Sequence, residues 1–328
     1  MVGRVSIALV VCFALAIPWL MPDPYLLHVL ILTYIYSILT LGFILVWTAG
    51  RLHFGIAGFW AIGAYICALT VMRAGVSYWL SLPLAGIATG IIGLGIGYIV
   101  CRTGGGTFIM LTWAFAEVIR LIIVTETTVL GGSAGIMGVP KPNPIPLPGV
   151  TIQFIGKVPY YYLILFLLLV AVFFLYRLYK SPIGLILRSI GQSDHLSESV
   201  GIYVLWYRVL AFTIAAFFAG LAGSFWAHYI GYLCPDHFTV MESLYVEVAG
   251  IIGGLGNFIA GGIIGGFFIV VVPEVFRAFK QWVPVIYGVA LITVILFLRG
   301  GLASLPGVIR PRLPKWVTER VRKGNGAA

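Results

Sequence analysis

Charged residues are scarce in this chain, so the few set inside apolar runs are where chemistry would concentrate. Glu117 and Arg120 lie three residues apart in TFIMLTWAFAEVIRLIIV, a spacing that puts both on one face of a helix. A charge inside such a helix is costly, so the two either pair as a structural ion pair or face a bundle interior as a pathway or gating element. Glu242 and Glu247 open a second run, 244–272, broken by Gly253-Gly254-Leu255-Gly256-Asn257. They face either a polar cavity or the membrane interface.

Other chemistries lack their residues. A nucleotide-hydrolysing loop needs GxxxxGK[ST], in which backbone amides cradle the phosphates and the lysine reaches the terminal ones. Gly156-Lys157 is the sole Gly-Lys pair within an apolar context, Thr151 stands where the first glycine belongs, and Val158 follows the lysine. Gly254-Leu255-Gly256-Asn257-Phe258-Ile259 lacks the third glycine of a dinucleotide fingerprint. His28, His53, His195, His228 and His237 are scattered, no HExxH occurs, and no serine with a histidine and acid partner can be assembled. The four cysteines give neither a disulfide framework nor metal-ligand spacing. No catalytic residue, metal or cofactor is expected.

The elements that must position the candidates are membrane spans. Apolar residues make up 61% of the chain and charged ones 9%, with a mean hydropathy of +1.08, which excludes an ordinary soluble domain. A spanning helix takes about 20 mostly apolar residues. Such runs fall at 5–21, 25–47, 54–72, 78–100, 107–125, 160–179, 207–233 and 283–299, with the Gly-broken region 244–272 counted twice. The expectation is therefore an all-α polytopic membrane protein of about ten transmembrane helices. Continuous apolar stretches such as Leu163 to Leu175 do not alternate as barrel strands would. Arg4 and the run Val5 to Ala16 resemble a signal peptide, but Ile17 to Leu20 lengthen the run toward an uncleaved first span.

The net charge of +10 sits at span ends and in the tail, without interleaved aromatics, so it reads as topology rather than nucleic-acid binding. Basic residues beside spans mark the cytoplasmic side. That rule puts both termini inside, together with Arg51, Arg102 and the loop 181–207, and leaves Arg73, Lys141, Lys157, Arg277 and Lys280 outside. The plan is a permease-type domain over 1–309, with a cytoplasmic loop 181–207 and an external loop 125–159, followed by a basic cytoplasmic tail, 310–328. Four prolines between Pro142 and Pro148 forbid a helix in the external loop. Many of the 41 glycines lie within spans, where small residues let backbones approach closely.

Several motifs in order resemble the M-type membrane subunit of branched-chain amino-acid ABC importers. They are Gly50-Arg51-Leu52-His53-Phe54-Gly55 with Gly58 to Tyr65; Leu111-Thr112-Trp113-Ala114-Phe115-Ala116-Glu117 with Arg120; and Leu130-Gly131-Gly132-Ser133-Ala134-Gly135-Ile136. Ser181-Pro182-Ile183-Gly184, Gly201-Ile202, Ala219 to Gly223, Gly253 to Gly256 and Pro273-Glu274 complete the match, which covers almost the whole chain. The resemblance implies a type II importer permease in the plasma (inner) membrane of a bacterium or archaeon. Its partners would be a second permease, two cytosolic ATPase subunits and an external substrate-binding protein.

On that resemblance the loop 181–207 seats a short coupling helix in a groove of the ATPase, with Arg188, Asp194, Glu198 and Gly201 as its residues. Thr112, Trp113, Glu117, Arg120, Glu242, Glu247, Gly253, Gly254 and Gly256 become candidates for the pathway or its gate, and Gly131, Gly132 and Ser133 for the external loop. Gly191-Gln192-Ser193 replaces the charged run usual in the family's loop. The implied activity is ATP-driven import of branched-chain or other hydrophobic amino acids. Alternatives are a urea or short-amide permease of the same architecture, a self-sufficient secondary transporter, and a membrane scaffold without transport activity.

Overall fold

A computed structural model describes residues 2–21, 23–147, 150–298 and 300–305. The tail 310–328 lies outside the described residues. The fold is almost entirely helical: α1 (Val2–Leu20), α2 (Pro24–Thr48), α3 (Ile56–Ala74), α4 (Tyr78–Val100), α5 (Gly105–Thr125), α6 (Lys157–Lys180), α7 (Pro182–Gln192), α8 (Asp194–Ser199), α9 (Val204–Ile230), α10 (Val240–Gly253), α11 (Phe258–Val275) and α12 (Val283–Phe297). Seven of these, α2 to α6, α9 and α11, are long and apolar enough to cross a membrane. The apolar stretches Val11–Leu20 and Pro284–Val294 are shorter, and α10 has 14 residues.

α2 is the hub. It is a run of Ile, Leu and aromatic residues whose hydroxyls (Thr33, Ser37, Thr40) donate back to carbonyls one turn earlier, so no polar group is left bare in its apolar surroundings. One side packs on α9, and the other takes the hairpin of α10 and α11. Glycine permits the closest approaches. A Cβ at Gly266 would meet Ser37, one at Gly262 would lie 2.5 Å from Leu41, and one at Gly250 would lie 2.6 Å from Phe43.

α3 and α4 clamp α9 in the same way. Gly63 lies against the backbone of Gly220, and Gly223 against the carbonyl of Trp60. Gly93 touches Ala216 and Gly97 touches Phe212. The Ser224 hydroxyl donates to the Gly63 carbonyl at 3.1 Å and closes the contact.

Contacts sort the loops onto two faces. On one, the Gly191 backbone abuts Thr48 and Gly50, Arg208 donates to the Ala49 carbonyl at 3.2 Å, and Tyr179 stacks on Phe258 at 4.7 Å. On the other, Lys157 donates to the Pro24 carbonyl at 3.0 Å, Arg73 donates to Thr128 at 2.9 Å, and Tyr25 bonds Glu274, which lies 3.7 Å from Arg277.

The loop on this second face is pinned rather than loose. Strand β1 (Ile136–Met137) pairs antiparallel with β4 (Tyr232–Leu233), and β2 (Ile145–Leu147) pairs with β3 (Val150–Ile152). Asn143 accepts from the Tyr78 amide and the Trp79 indole, both at 3.0 Å. Gly131 and Gly132, at φ 79° and 60°, make the turn before Ser133. A side chain at either would be strained and would strike Gly135 or Thr127.

Candidate translocation and coupling sites

Two places gather the candidates. The first surrounds α5, which packs on α3 through Phe108, Thr112, Ala116 and Ile123 and leaves its opposite face uncovered. Thr112 is on the packed side, accepting from the Phe54 amide at 3.2 Å. Trp113 is half exposed and lies parallel to Phe54 at 5.9 Å. One turn on, Arg120 donates to both carboxylate oxygens of Glu117, with Nε at 3.1 and 3.0 Å. The side chains of this pair are 24% and 36% exposed, in a helix otherwise built for lipid. Exposing charge to hydrocarbon is expensive, and pairing the two groups with each other lowers that cost.

α10 forms the neighbouring wall. It starts inside the bundle because residues 234–239 fold inward, setting Phe238 among Trp60, Tyr65 and Trp226 at 5.0, 6.1 and 5.4 Å. That puts polar groups deep in the protein. Ser243 accepts from the Ala57 amide at 2.9 Å and so caps the frayed start of α3. Glu242 accepts from the Tyr36 hydroxyl at 2.8 Å. Glu247, one turn below Ser243, is 3% exposed and its Oε1 has no partner. A buried carboxyl oxygen without a donor is costly.

Gly253, Gly254 and Gly256 are not part of this assembly. They turn the chain between α10 and α11, where Gly253 abuts Gly261 and Gly254, at φ 117°, abuts Gly300. At Gly253 and Gly254 glycine is required by close approach of backbones, whereas an added Cβ at Gly256 would meet nothing within 4 Å.

The second site is the loop 181–207, which folds as two short helices, α7 and α8, joined at Ser193. Pro182 at the first turn and the Ser181 hydroxyl, accepting from the Gly184 amide at 3.4 Å, start α7. Ser193 accepts from the Leu196 amide at 3.3 Å and starts α8. Asp194 turns inward to Arg208 at 2.5 Å, tying α8 to the foot of α9. Arg188 lies over the Tyr179 ring at 4.7 Å. Glu198 and Gly201, the latter at φ 85°, remain on the surface.

Beside them are Leu196, Val200 and Tyr203, all more than 60% exposed. This apolar row was not among the sequence candidates. Its signal was present as apolar residues at spacings of four and three in an otherwise polar stretch.

Comparison with known proteins now decides the family. The model described as "Branched-chain amino acid transport system / permease component" matches residues 25–299. The chain belongs to this permease family. It is 31% identical over 86% of its length to the high-affinity branched-chain amino acid transport system permease protein LivM of Salmonella typhimurium, covering 70% of that protein. It is equally similar, over 93% of its length, to LivM of Escherichia coli, of which it covers 76%. A guanosine ABC transporter permease protein, NupQ of Bacillus subtilis, is 27% identical over 63% of the chain and 67% of its own length. No solved structure shows a significant match. Permeases of this family are transport subunits rather than enzymes, in keeping with the missing phosphate-binding motif and the many apolar helices of a multi-pass membrane protein.

Proposed function

We propose that this permease forms one half of a translocation pathway for a branched-chain or similarly hydrophobic amino acid, with a second permease covering the bare face of α5. The observation that carries the reading is the Glu117 and Arg120 pair, partly exposed on an apolar helix. A second subunit there shields the charges from lipid and leaves a polar strip between the two chains. Trp113 and Phe54 offer a flat apolar wall next to it, a pairing of surfaces suited to an amphipathic zwitterion. The names of the LivM relatives support the amino-acid substrate.

In this reading α1, α10 and α12 lie in the membrane with the seven longer spans, giving ten elements with both termini cytoplasmic. The permease domain covers 1–309, and the basic tail 310–328 follows it. The loop 181–207 faces the cytosol, where α8 seats in a groove of one ATPase partner through Leu196, with Glu198, Val200, Gly201 and Tyr203 beside it. The pinned loop 125–159, with Gly131, Gly132 and Ser133, meets an external substrate-binding protein. ATP hydrolysis by the partners rocks the helices and alternates access.

The test is purification of the tagged chain from its native membrane, followed by leucine-stimulated ATPase and uptake assays on the assembly. Co-purification of a second permease and two ATPase subunits, with uptake competed by leucine but not by urea or guanosine, is the expected result. Transport by the single chain in liposomes without ATP would overturn it. Deleting 191–200, or replacing Gly201 with valine, is expected to abolish stimulated ATPase activity while membrane insertion persists.

A further inference from the structure

A groove of about 910 Å³ runs between α4, α6 and α9, remote from the α5 site and reaching the start of α7 at Ser181 and Ile183. Its walls are apolar: Ile91 and Leu94 on α4, Phe174 and Leu178 on α6, and Phe217 and Leu221 as the floor on α9. At the external end Trp79 and Leu82 of α4 and Leu163 of α6 pack on one cluster of Cys67, Tyr78 and Ala85, and Trp79 lies against Phe154 at 5.5 Å. Toward the other end Gly86, Gly93 and Gly97 sink α4 onto α9. α7 follows α6 directly, and the last turn of α7 abuts Thr48 at the end of α2 through Gly191.

We propose that this groove binds the acyl chains of an anionic phospholipid of the cytoplasmic leaflet, with its headgroup held by Arg177 and Arg102. The orientation rests on the topology given above, which puts α7 and α8 in the cytoplasm. Depth identifies the occupant. The lining takes in Ser181 and Ile183 at the start of α7, and within the spans it extends from Ile87 to Leu94 on α4, from Val170 to Leu178 on α6 and from Thr213 to Leu221 on α9. At 1.5 Å per residue that is about 10 to 12 Å, against about 30 Å for a hydrocarbon core. One leaflet's chains fill such a depth, whereas a partner helix needs a seam across the whole bilayer.

The mouth has matching charge. Arg177 lines it, no acidic residue does, and Arg177 takes part in none of the ion pairs among the described residues. Past the groove, at the end of α4, Arg102 lies 4.0 Å over the Tyr98 ring, and Tyr98 packs on Trp206 at 5.8 Å. One turn beyond Arg177, Lys180 lies over Tyr176. Cations paired with Trp and Tyr at the ends of α4 and α6 are the residues that settle at the headgroup level, and basic pockets between spans on the cytoplasmic side favour anionic headgroups.

Native mass spectrometry of the full chain, purified in detergent and offered equal phosphatidylglycerol and phosphatidylcholine, tests the proposal. Retention of phosphatidylglycerol over phosphatidylcholine is expected, falling about five-fold for each of Arg177→Gln and Arg102→Gln. Gly90→Phe, whose Cβ would stand at an ordinary 3.5 Å from Phe217, fills the groove and lowers retention of both lipids.

Circular dichroism and size-exclusion profiles matching the parent exclude misfolding as the cause. Equal retention of the two lipids, or a preference indifferent to both arginine substitutions, overturns the headgroup assignment. Retention unchanged in Gly90→Phe overturns the groove as the acyl site. Quantitative loss of the lipid when a second permease co-purifies would show a protein surface as the occupant and also overturn it. These outcomes are independent of which substrate the permease carries.

Discussion

α4 and α5 flank α3, and each leaves a face uncovered, but the two faces are made for different surroundings. That of α4 presents Leu80, Ile87, Ile91 and Leu94, with no charge, and its other side is drawn onto α9 by glycines. That of α5 presents Met110, Trp113 and Val118 together with the Glu117 and Arg120 pair. Both helices are apolar enough to span, so hydropathy does not separate them. The cost of exposing charge does: α4 shows what lipid accepts, and α5 shows what only water or another subunit accepts.

The comparison breaks most severely at the packed side. Gly63→Leu would drive a side chain into the Gly220 backbone, and the expected outcome is loss of folded protein by fluorescence-detected size exclusion. Gly95→Ala, where nothing lies within 4 Å of the added carbon, should leave the profile unchanged. A charge on the lipid face comes next. Ile91→Glu is expected to destabilise the inserted protein by about 2 to 3 kcal/mol, read as reduced membrane yield and a lower melting temperature.

The α5 face predicts the reverse separation of stability from activity. Glu117→Gln combined with Arg120→Gln removes both charges at similar volume, so the fold should persist while uptake in the assembled transporter falls about ten-fold or more. Loss of fold in this double variant, with normal uptake in whatever survives, would mark the pair as structural.

The smallest effect is expected at the loop. Asp194→Asn weakens a partly exposed tie to Arg208 and should cost about 1 kcal/mol, seen as a melting temperature lower by about 2 to 4 °C. Because Asp194 faces inward, substrate-stimulated ATPase activity should change less than in Leu196→Asp, which alters the exposed row directly.

Composition, the order of apolar runs and the missing phosphate-binding loop determined the class of this protein, since burying some twenty apolar residues in succession leaves few alternatives to a spanning helix. The motifs determined the family for the same reason: their order along the chain is a one-dimensional property. The prolines of the external loop likewise excluded helix there without reference to any neighbour.

What each candidate touches was decided by the tertiary structure. Asp194 and Glu198 are both acids on α8, yet one turns to Arg208 and the other to solvent. Gly253 and Gly254 read as candidates for a pathway or its gate, and packing sets them at a crossing of backbones with Gly261 and Gly300, while Gly256 has nothing within 4 Å of an added Cβ. The inward fold of 234–239 that starts α10 within the bundle depends on pockets formed by Trp60 and Trp226. Helical periodicity says which residues share a face, but the partner that face meets is set by packing among segments far apart in the chain.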